Sequence, residues 1–177
     1  MYNLGLIFLG DASIDGRCIN MLRTASHKYK SVFLIHTGKS NIKIIDNVHI
    51  FKIDLSKIES GFLKYYTFHK EIIKKLKTIS TKILIASDLY SLPAIAMQTS
   101  KTKKIFDSRE IYSQLAGLKN KPLKQFFWST LEKYFIKKVD IVIVTAKMDK
   151  NYLRNLYGDL DIDIIYNFPS KFFLNVK

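Results

Sequence analysis

Three charged side chains stand together where an apolar run of the sequence ends. The stretch KIFDSREIYSQL, residues 104–115, places Asp107, Arg109 and Glu110 within four positions. Carboxylates accept hydrogen bonds, and the planar guanidinium of arginine can hold a phosphate or a carboxylate through two parallel hydrogen bonds. Arg109 cannot act as a general base, because arginine stays protonated. The same residues could equally form an ordinary ion pair that serves only the structure, since buried charges are usually paired.

Further polar residues and glycines follow other apolar runs. If those runs are parallel strands, their carboxyl ends open into the crevice where α/β proteins bind ligands. The additional candidates are Gly10, Asp11, Arg17, Thr37, Gly38, Ser87, Asp88 and Thr145. Each has a structural alternative, because an aspartate after a strand commonly caps a helix and a glycine permits a tight turn.

The common cofactor and hydrolase motifs do not fit. The residues TGKS at 37–40 end like a phosphate-binding P-loop, but that loop needs a glycine where Phe33 stands. The glycines of residues 10–16 depart from the dinucleotide pattern G-x-G-x-x-G, no His or Cys pair has metal-ligand spacing, and no G-x-S-x-G elbow is present. Among the histidines, His36 at a strand end is a better ligand candidate than His69, which lies on an aromatic stripe.

The elements that must position these residues alternate between two patterns. Several apolar runs are apolar at consecutive positions, as expected of parallel strands covered on both faces. The predicted strands are 4–10, 31–38, 48–53, 82–88, 103–107, 140–145 and 161–167. Segments with helical spacing separate most of them. The sequence therefore predicts an α/β fold, a Rossmann-like doubly wound and mainly parallel sheet of about seven strands with helices on both faces.

Two of the predicted helices show apolar stripes. Over 58–79 the stripe consists of Ile58, Phe62, Tyr65, His69, Ile72, Leu76 and Ile79, while the lysines mostly lie elsewhere. A second helix begins near Pro122, which suits a first helical turn. Its stripe consists of Leu123, Phe126, Phe127, Leu131, Tyr134 and Phe135. Trp128 lies beside this stripe, where it could pack against a strand or settle at a membrane interface.

Composition limits the class of protein and its partners. The chain has 177 residues, enough for one domain with a real core, and 47% hydrophobic residues argue against disorder. The formal charge of +14 would attract nucleic acid, anionic lipid or a phosphorylated substrate, although lysines spread over solvated faces explain it equally well. No nucleic-acid-binding motif accompanies the charge, so we expect no nucleic-acid partner.

The sequence predicts a cytoplasmic protein with possible peripheral contact at the inner face of the membrane. Its single cysteine, Cys18, excludes an intrachain disulfide and fits a reducing compartment. The first apolar run, LGLIFLG, has no basic segment before it and is far shorter than the roughly 20 residues of a spanning helix. We therefore expect neither a signal peptide nor a transmembrane helix.

A series of motifs from about residue 82 to residue 170 resembles the amino-terminal half of the retaining GT-B glycosyltransferases of family four. That family is characterised by Asp, then Leu-Pro-Ala, a strand ending in Asp-x-His-Glu, a Glu in a long helix, an Ala-Asp strand ending in Thr or Ser, Tyr-Gly and Asn-x-Pro. The matching residues are Asp88, Leu92, Pro93, Ala94, Asp107, Glu110, Glu132, Asp140, Thr145, Tyr157, Gly158, Asn167 and Pro169, and Asp15 with Arg17 resembles an earlier D-x-R motif.

The resemblance implies a division of labour between two domains. Residues 1–170 would form the acceptor-binding domain, and 171–177 would begin the linker to a C-terminal domain, absent from this sequence, that binds the nucleotide-sugar donor. The chain would thus be half of an enzyme that transfers a sugar to a glycan or lipid-linked acceptor, without a metal or other cofactor, and would be inactive alone. Its donor-binding residues would lie in the other half.

The resemblance also implies the roles of individual residues. The acceptor-binding candidates are Gly10, Asp11, Arg17, Asp88, Asp107, Glu110 and Thr145. Arg109 stands where many members carry a histidine near the reacting sugar, so it is the candidate catalytic residue, orienting an anionic group. Retaining transfer in this fold is usually described as front-face attack assisted by the donor phosphate, which needs no protein base. The alternative is a non-catalytic subunit of a split glycosyltransferase, or a basic module that binds anions or membranes.

Overall fold

The computed structural model describes residues 1–38, 47–58, 61–99, 101–118 and 120–168. Pro169 and the predicted linker 171–177 lie outside the described residues. Within them, no helix is long and apolar enough to cross a lipid bilayer.

The described residues form one seven-stranded sheet in which every neighbouring pair of strands is parallel. The strand order is β3-β2-β1-β4-β5-β6-β7, the Rossmann-type arrangement in which the order reverses beside β1. The strands are β1 (Tyr2–Phe8), β2 (Val32–His36), β3 (Val48–Lys52), β4 (Thr81–Ala86), β5 (Lys103–Ser108), β6 (Ile141–Val144) and β7 (Ile162–Ile164). The predicted fold class is confirmed.

Helices cover both faces of the sheet. They are α1 (Gly16–Lys28), α2 (Phe62–Leu76), α3 (Leu92–Ala96), α4 (Pro122–Ile136) and α5 (Lys147–Tyr157), with two short 3₁₀ turns at Tyr112–Gln114 and Ala116–Leu118. Neighbouring strand residues serve opposite faces, as the pleat requires. Leu6 packs into a core cluster with Leu22 of α1, whereas Ile7 packs into a larger cluster with Ile72 of α2 and Leu153 of α5.

The two predicted helical stripes are only partly correct. Phe62, at the start of α2, is 69% exposed, and Phe68 is the fully buried aromatic residue of that helix. In α4 the predicted stripe residues Leu123 and Phe126 are exposed, while the buried positions are Glu132 and Ile136. The first turns of both helices present their apolar side chains outwards. The spacing thus identified helical segments but not the face that the core covers.

Candidate functional site

A cavity of about 690 Å³ opens at the carboxyl edge of the sheet. The loops after β1, β4, β5 and β6 line it together with the start of α1 and the segment after β7. Six of the predicted candidates line it, namely Arg17, Ser87, Asp88, Arg109, Glu110 and Thr145. The prediction that post-strand loops bring these residues to one crevice therefore agrees with their observed positions.

Asp107, a predicted acceptor-binding residue, does not line this cavity but pairs with Arg17 and Arg109, which do. The carboxylate is fully buried and accepts hydrogen bonds from Arg17, at 2.9 Å from Nε to Oδ2 and 2.6 Å from Nη2 to Oδ1. Nη1 of Arg17 also donates to the backbone carbonyl of Ile165, at 3.0 Å. The first helix, the fifth strand and the segment after β7 are thus tied together by one guanidinium.

Arg109 is held by several groups at once. Its Nε donates to Asp107 at 3.0 Å, its Nη1 donates to Asp15 at 2.7 Å, and its Nη2 lies 3.1 Å from the sulfur of Cys18. The guanidinium also lies over the ring of Phe8, 5.1 Å from its centroid. The arginine pairs with Asp107, one of the two structural partners considered from the sequence, and most of its donors are already engaged.

Asp15 links this network to the start of α1. Its Oδ1 accepts the backbone N–H of Cys18 at 2.7 Å, which caps the helix. Burial raises the pKa of the Cys18 thiol to about 12, so the thiol is neutral. The contact between Arg109 and Cys18 is therefore not an ion pair.

Asp88 fastens the end of β1 to the loop after β4. Its carboxylate accepts the backbone N–H of Leu9 at 2.6 Å, the backbone N–H of Ser91 at 2.6 Å and the hydroxyl of Ser91 at 2.5 Å. Burial raises the pKa of Asp88, and these three donors oppose that effect by stabilising the charged form. The residue thus shapes the wall of the cavity as well as lining it.

Two buried polar atoms in the cavity wall have no hydrogen-bond partner among the described residues. They are the hydroxyl oxygen of Ser87 and the amide oxygen of Asn20, on α1. An unpaired buried polar atom is costly unless a ligand or water satisfies it. Glu110 adds an exposed carboxylate to the cavity. Sequence reasoning did not select Asn20, because it lies inside a helix rather than after a strand.

Gly10 and Asp11 do not line the cavity. Asp11 accepts hydrogen bonds from the backbone and the hydroxyl of Ser13, at 3.0 and 2.7 Å. His36, the preferred histidine candidate, is buried beside this loop, and its Nδ1 accepts the backbone N–H groups of Ala12 and Gly38, at 3.4 and 3.2 Å. Burial lowers the pKa of His36. These residues hold the two neighbouring loops together.

The remaining motif residues also make structural contacts. The hydroxyl of Thr145 donates to Asp149, in the first turn of α5, at 3.1 Å. Asp140 accepts the backbone N–H of Lys104 at 2.6 Å. Glu132 is fully buried in α4 and accepts the hydroxyl of Tyr157, in α5, at 2.7 Å. Burial raises the pKa of Glu132 to about 7.

The chemistry available in the cavity suits a hydroxyl-rich ligand. Carboxylate, hydroxyl and amide groups line it beside the aromatic rings of Phe8, Tyr112 and Phe168. Such groups exchange hydrogen bonds with the hydroxyl groups of a sugar, and rings can cover its apolar faces. Among the described residues, no group of three or more His, Cys, Asp or Glu side chains is placed to hold a metal ion.

Comparison with known proteins identifies the fold. Neither a family model nor a curated protein matches the chain. Sucrose-phosphate synthase from Thermosynechococcus elongatus is similar over 94% of this chain, with a TM-score of 0.73 and 14% identity. The fold is that of one half of a GT-B glycosyltransferase.

Two further structures support this GT-B assignment. UDP-glucose:anthocyanidin 3-O-glucosyltransferase in complex with UDP is similar over 100% of the chain, with a TM-score of 0.60 and 13% identity. A UGT transferase from Siraitia grosvenorii in complex with UDP is similar over 92%, with a TM-score of 0.53 and 10% identity. The chain covers 48%, 55% and 51% of these three GT-B proteins, so it spans about half of their length.

Proposed function

We propose that this chain is the N-terminal, acceptor-binding half of a glycosyltransferase, which transfers a sugar from a nucleotide-sugar donor to a glycan or lipid-linked acceptor. The observation that carries the proposal is the cavity at the carboxyl edge of the sheet, whose lining includes Glu110, Ser87 and Asn20. Ser87 and Asn20 each hold a buried polar atom without a hydrogen-bond partner among the described residues. The GT-B fold supplies the context in which such a cavity would form one wall of a cleft.

In this proposal the polar side chains bind the acceptor and the arginines organise them. Glu110 and Asp88 accept hydrogen bonds from acceptor hydroxyl groups, and Ser87 donates or accepts one.

Arg17 is engaged with Asp107 and Ile165, and Arg109 with Asp107, Asp15 and Cys18. Arg109 therefore acts by fixing the wall of the cavity, and any anionic group that it orients has to approach its remaining exposed edge.

The proposed transfer proceeds with retention and needs no metal or other cofactor in this half. In this proposal a second domain supplies the nucleotide-sugar site, and two of the similar glycosyltransferases are in complex with UDP. Transfer requires donor and acceptor to be held together away from water, and one wall of a cleft cannot do this. The isolated chain is therefore expected to bind acceptor fragments weakly and to be inactive.

The variant Ser87→Ala tests this proposal, because it should weaken saccharide binding without destabilising the domain. The Ser87 hydroxyl has no partner within the described residues, so its removal costs the fold little, whereas a bound sugar loses a hydrogen bond. We expect saturation-transfer NMR with a panel of mono- and oligosaccharides to detect binding that Ser87→Ala and Glu110→Gln weaken. Ser129→Ala, at a half-buried position of α4 outside the cavity lining, is the control.

Calorimetry with UDP- and GDP-sugars is the second experiment and tests whether the chain alone binds a donor. We expect no tight donor binding by the chain alone. Submicromolar donor binding would contradict the assignment to the acceptor half. Saccharide binding that the two cavity variants leave unchanged would contradict the assignment of the acceptor site.

A further inference from the structure

The first turns of α2 and α4 expose an unusual number of large apolar side chains. Phe126 and Leu123 are 71% and 84% exposed, and Phe62 is 69% exposed. We call this surface the aromatic–lysine patch. Its apolar members are Phe62, Leu63, Tyr66, Leu123, Phe126 and Phe127. Exposed apolar residues are ordinary when scattered, but a contiguous group indicates an interaction surface.

Ring contacts make the patch one surface rather than two helix ends. Phe62 of α2 and Phe127 of α4 meet edge to face, with centroids 6.5 Å apart, and Phe62 stacks on Tyr66 at 6.4 Å. Below them Trp128 packs edge to face against Tyr65, at 5.0 Å. Trp128 therefore packs within the domain, and the residues above it are held in place by a layer of rings.

The charged residues within the two segments that carry the patch are all lysines. The segments GFLKYY (61–66) and KPLKQFFW (121–128) contain Lys64, Lys121 and Lys124 and no acidic residue. Helix N-termini favour acidic side chains, because the helix dipole is positive there. Neither helix has an acidic residue in its first turn or a side-chain cap. Helix stability therefore does not explain the choice of lysine and exposed aromatic residues at these positions.

We propose that the aromatic–lysine patch docks the protein on an anionic lipid bilayer. Aromatic and leucine side chains settle at the boundary between headgroups and acyl chains, and nearby lysines gain from anionic headgroups. The formal charge of +14 acts in the same direction at longer range. This inference does not depend on glycosyl transfer, because it concerns a surface outside the cavity.

Docking by this patch would also bring the cavity close to the membrane. Tyr112 lines both the cavity and an apolar groove of about 560 Å³, which Leu123 and Trp128 also line. Lys121 and Lys124 border the same groove. A ligand whose polar part occupied the cavity could therefore extend an apolar part along the groove towards the bilayer.

Vesicle co-sedimentation of the 177-residue chain tests the proposal. We expect the chain to bind vesicles of phosphatidylcholine mixed with phosphatidylglycerol and to bind pure phosphatidylcholine much more weakly. Leu123→Ser combined with Phe126→Ser should weaken binding to the mixed vesicles about tenfold or more, because both side chains would otherwise be buried in the interface. The matched control is Met148→Ser with Leu156→Ser, which removes two exposed apolar residues from α5.

A second pair of double variants tests the lysines, and both variants have the same net charge. Lys121→Gln with Lys124→Gln should weaken binding by about tenfold. Lys82→Gln with Lys103→Gln, near the starts of β4 and β5 at the opposite edge of the sheet, should have a much smaller effect. Circular dichroism melting of all variants checks that each remains folded.

Three results would overturn the proposal. The first is no binding to the mixed vesicles, and the second is equal loss of binding in the patch and control variants. The third is self-association of the free chain, measured by sedimentation velocity, that the Leu123→Ser, Phe126→Ser variant abolishes. That result would assign the patch to an interface between copies.

Discussion

Arg17 and Asp107 form a buried, two-pronged ion pair across 90 residues of sequence. Nε of Arg17 lies 2.9 Å from Oδ2 and Nη2 lies 2.6 Å from Oδ1, and the side chains are 8% and 0% exposed. Arg109 binds the same carboxylate, with its Nε 3.0 Å from Oδ2. The Asp107 carboxylate thus fixes both arginines at the cavity, and Arg109 in turn binds Asp15.

Arg17→Met should strongly destabilise the domain. It removes the better-buried partner of Asp107 and leaves the carbonyl of Ile165 without this donor. Breaking a buried ion pair from one side typically costs roughly 3–5 kcal/mol, although retention of Arg109 should keep the loss near the lower end. Urea unfolding measures it. Arg154→Met, at an exposed position on α5, is the control, and equal unfolding midpoints for the two variants would show that the pair contributes little.

Arg109→Lys should preserve the positive charge but lose the planar arrangement of hydrogen-bond donors. A lysine cannot reach Asp107 and Asp15 with a planar fork, so one of the two contacts should be lost. We expect the free energy of unfolding to fall by roughly 1–2 kcal/mol and acceptor binding to weaken, while the domain stays folded. Thermal melting and saccharide titration are measured together, with Arg154→Lys as control. Unchanged binding would make Arg109 a purely structural residue.

The strands and their direction could be predicted because the sequence carries that information locally. A strand covered on both faces must be apolar at consecutive positions, as VFLIH in β2 is, and β2 is buried along its whole length. Helix faces were harder to predict. The apolar residues at the start of α4 suggested a core stripe, but that part of the helix is exposed, and the buried position is the acidic Glu132. Spacing alone does not reveal which neighbour covers a helix.

The site could be predicted as a location but not as a set of pairings. Asp88, Arg109 and Glu110 come together because parallel strands end at one edge. The links from Asp107 to Arg17 and from Arg109 to Asp15 join residues 90 and 94 positions apart, and a single sequence contains no signal for such contacts. Asn20 was missed for a different reason, because only its position on the inner side of α1 brings it to the cavity.

Gly5→Ala should destabilise the centre of the sheet. A Cβ at Gly5 would lie 2.1 Å from Cζ of Phe33, whose ring is fully buried in the neighbouring strand. The ring or the strand would have to move, and overpacking of this kind typically costs about 1–3 kcal/mol. Gly16→Ala is the matched control, since a Cβ there meets no atom within 4 Å and alanine favours the helix that begins at this residue. In urea unfolding, Gly5→Ala should be less stable than the parent and Gly16→Ala should be slightly more stable.

Glu132 should make the stability of the domain fall as pH rises from about 4.5 to about 7. Burial raises its pKa from 4.5 to about 7, and the hydrogen bond from Tyr157 opposes the rise only in part. Between these two values the folded state holds a proton that the unfolded chain has released, so raising the pH favours unfolding. The effect is absent below about pH 4.5 and is complete above about pH 7, where it approaches roughly 3 kcal/mol.

Glu132→Gln isolates this effect, because the glutamine oxygen can still accept the Tyr157 hydroxyl without becoming charged. Unfolding free energies measured from pH 4.5 to pH 8 should decline less steeply in Glu132→Gln than in the parent, and the variant should be the more stable protein at the upper end. Glu71→Gln, on α2, should keep the parental slope. The difference between variants also removes the contribution of the histidines, which titrate in the same range. Parallel curves for the parent and Glu132→Gln would mean that Glu132 is ionised in the folded protein, and that α4 and α5 stabilise a buried carboxylate rather than a carboxylic acid.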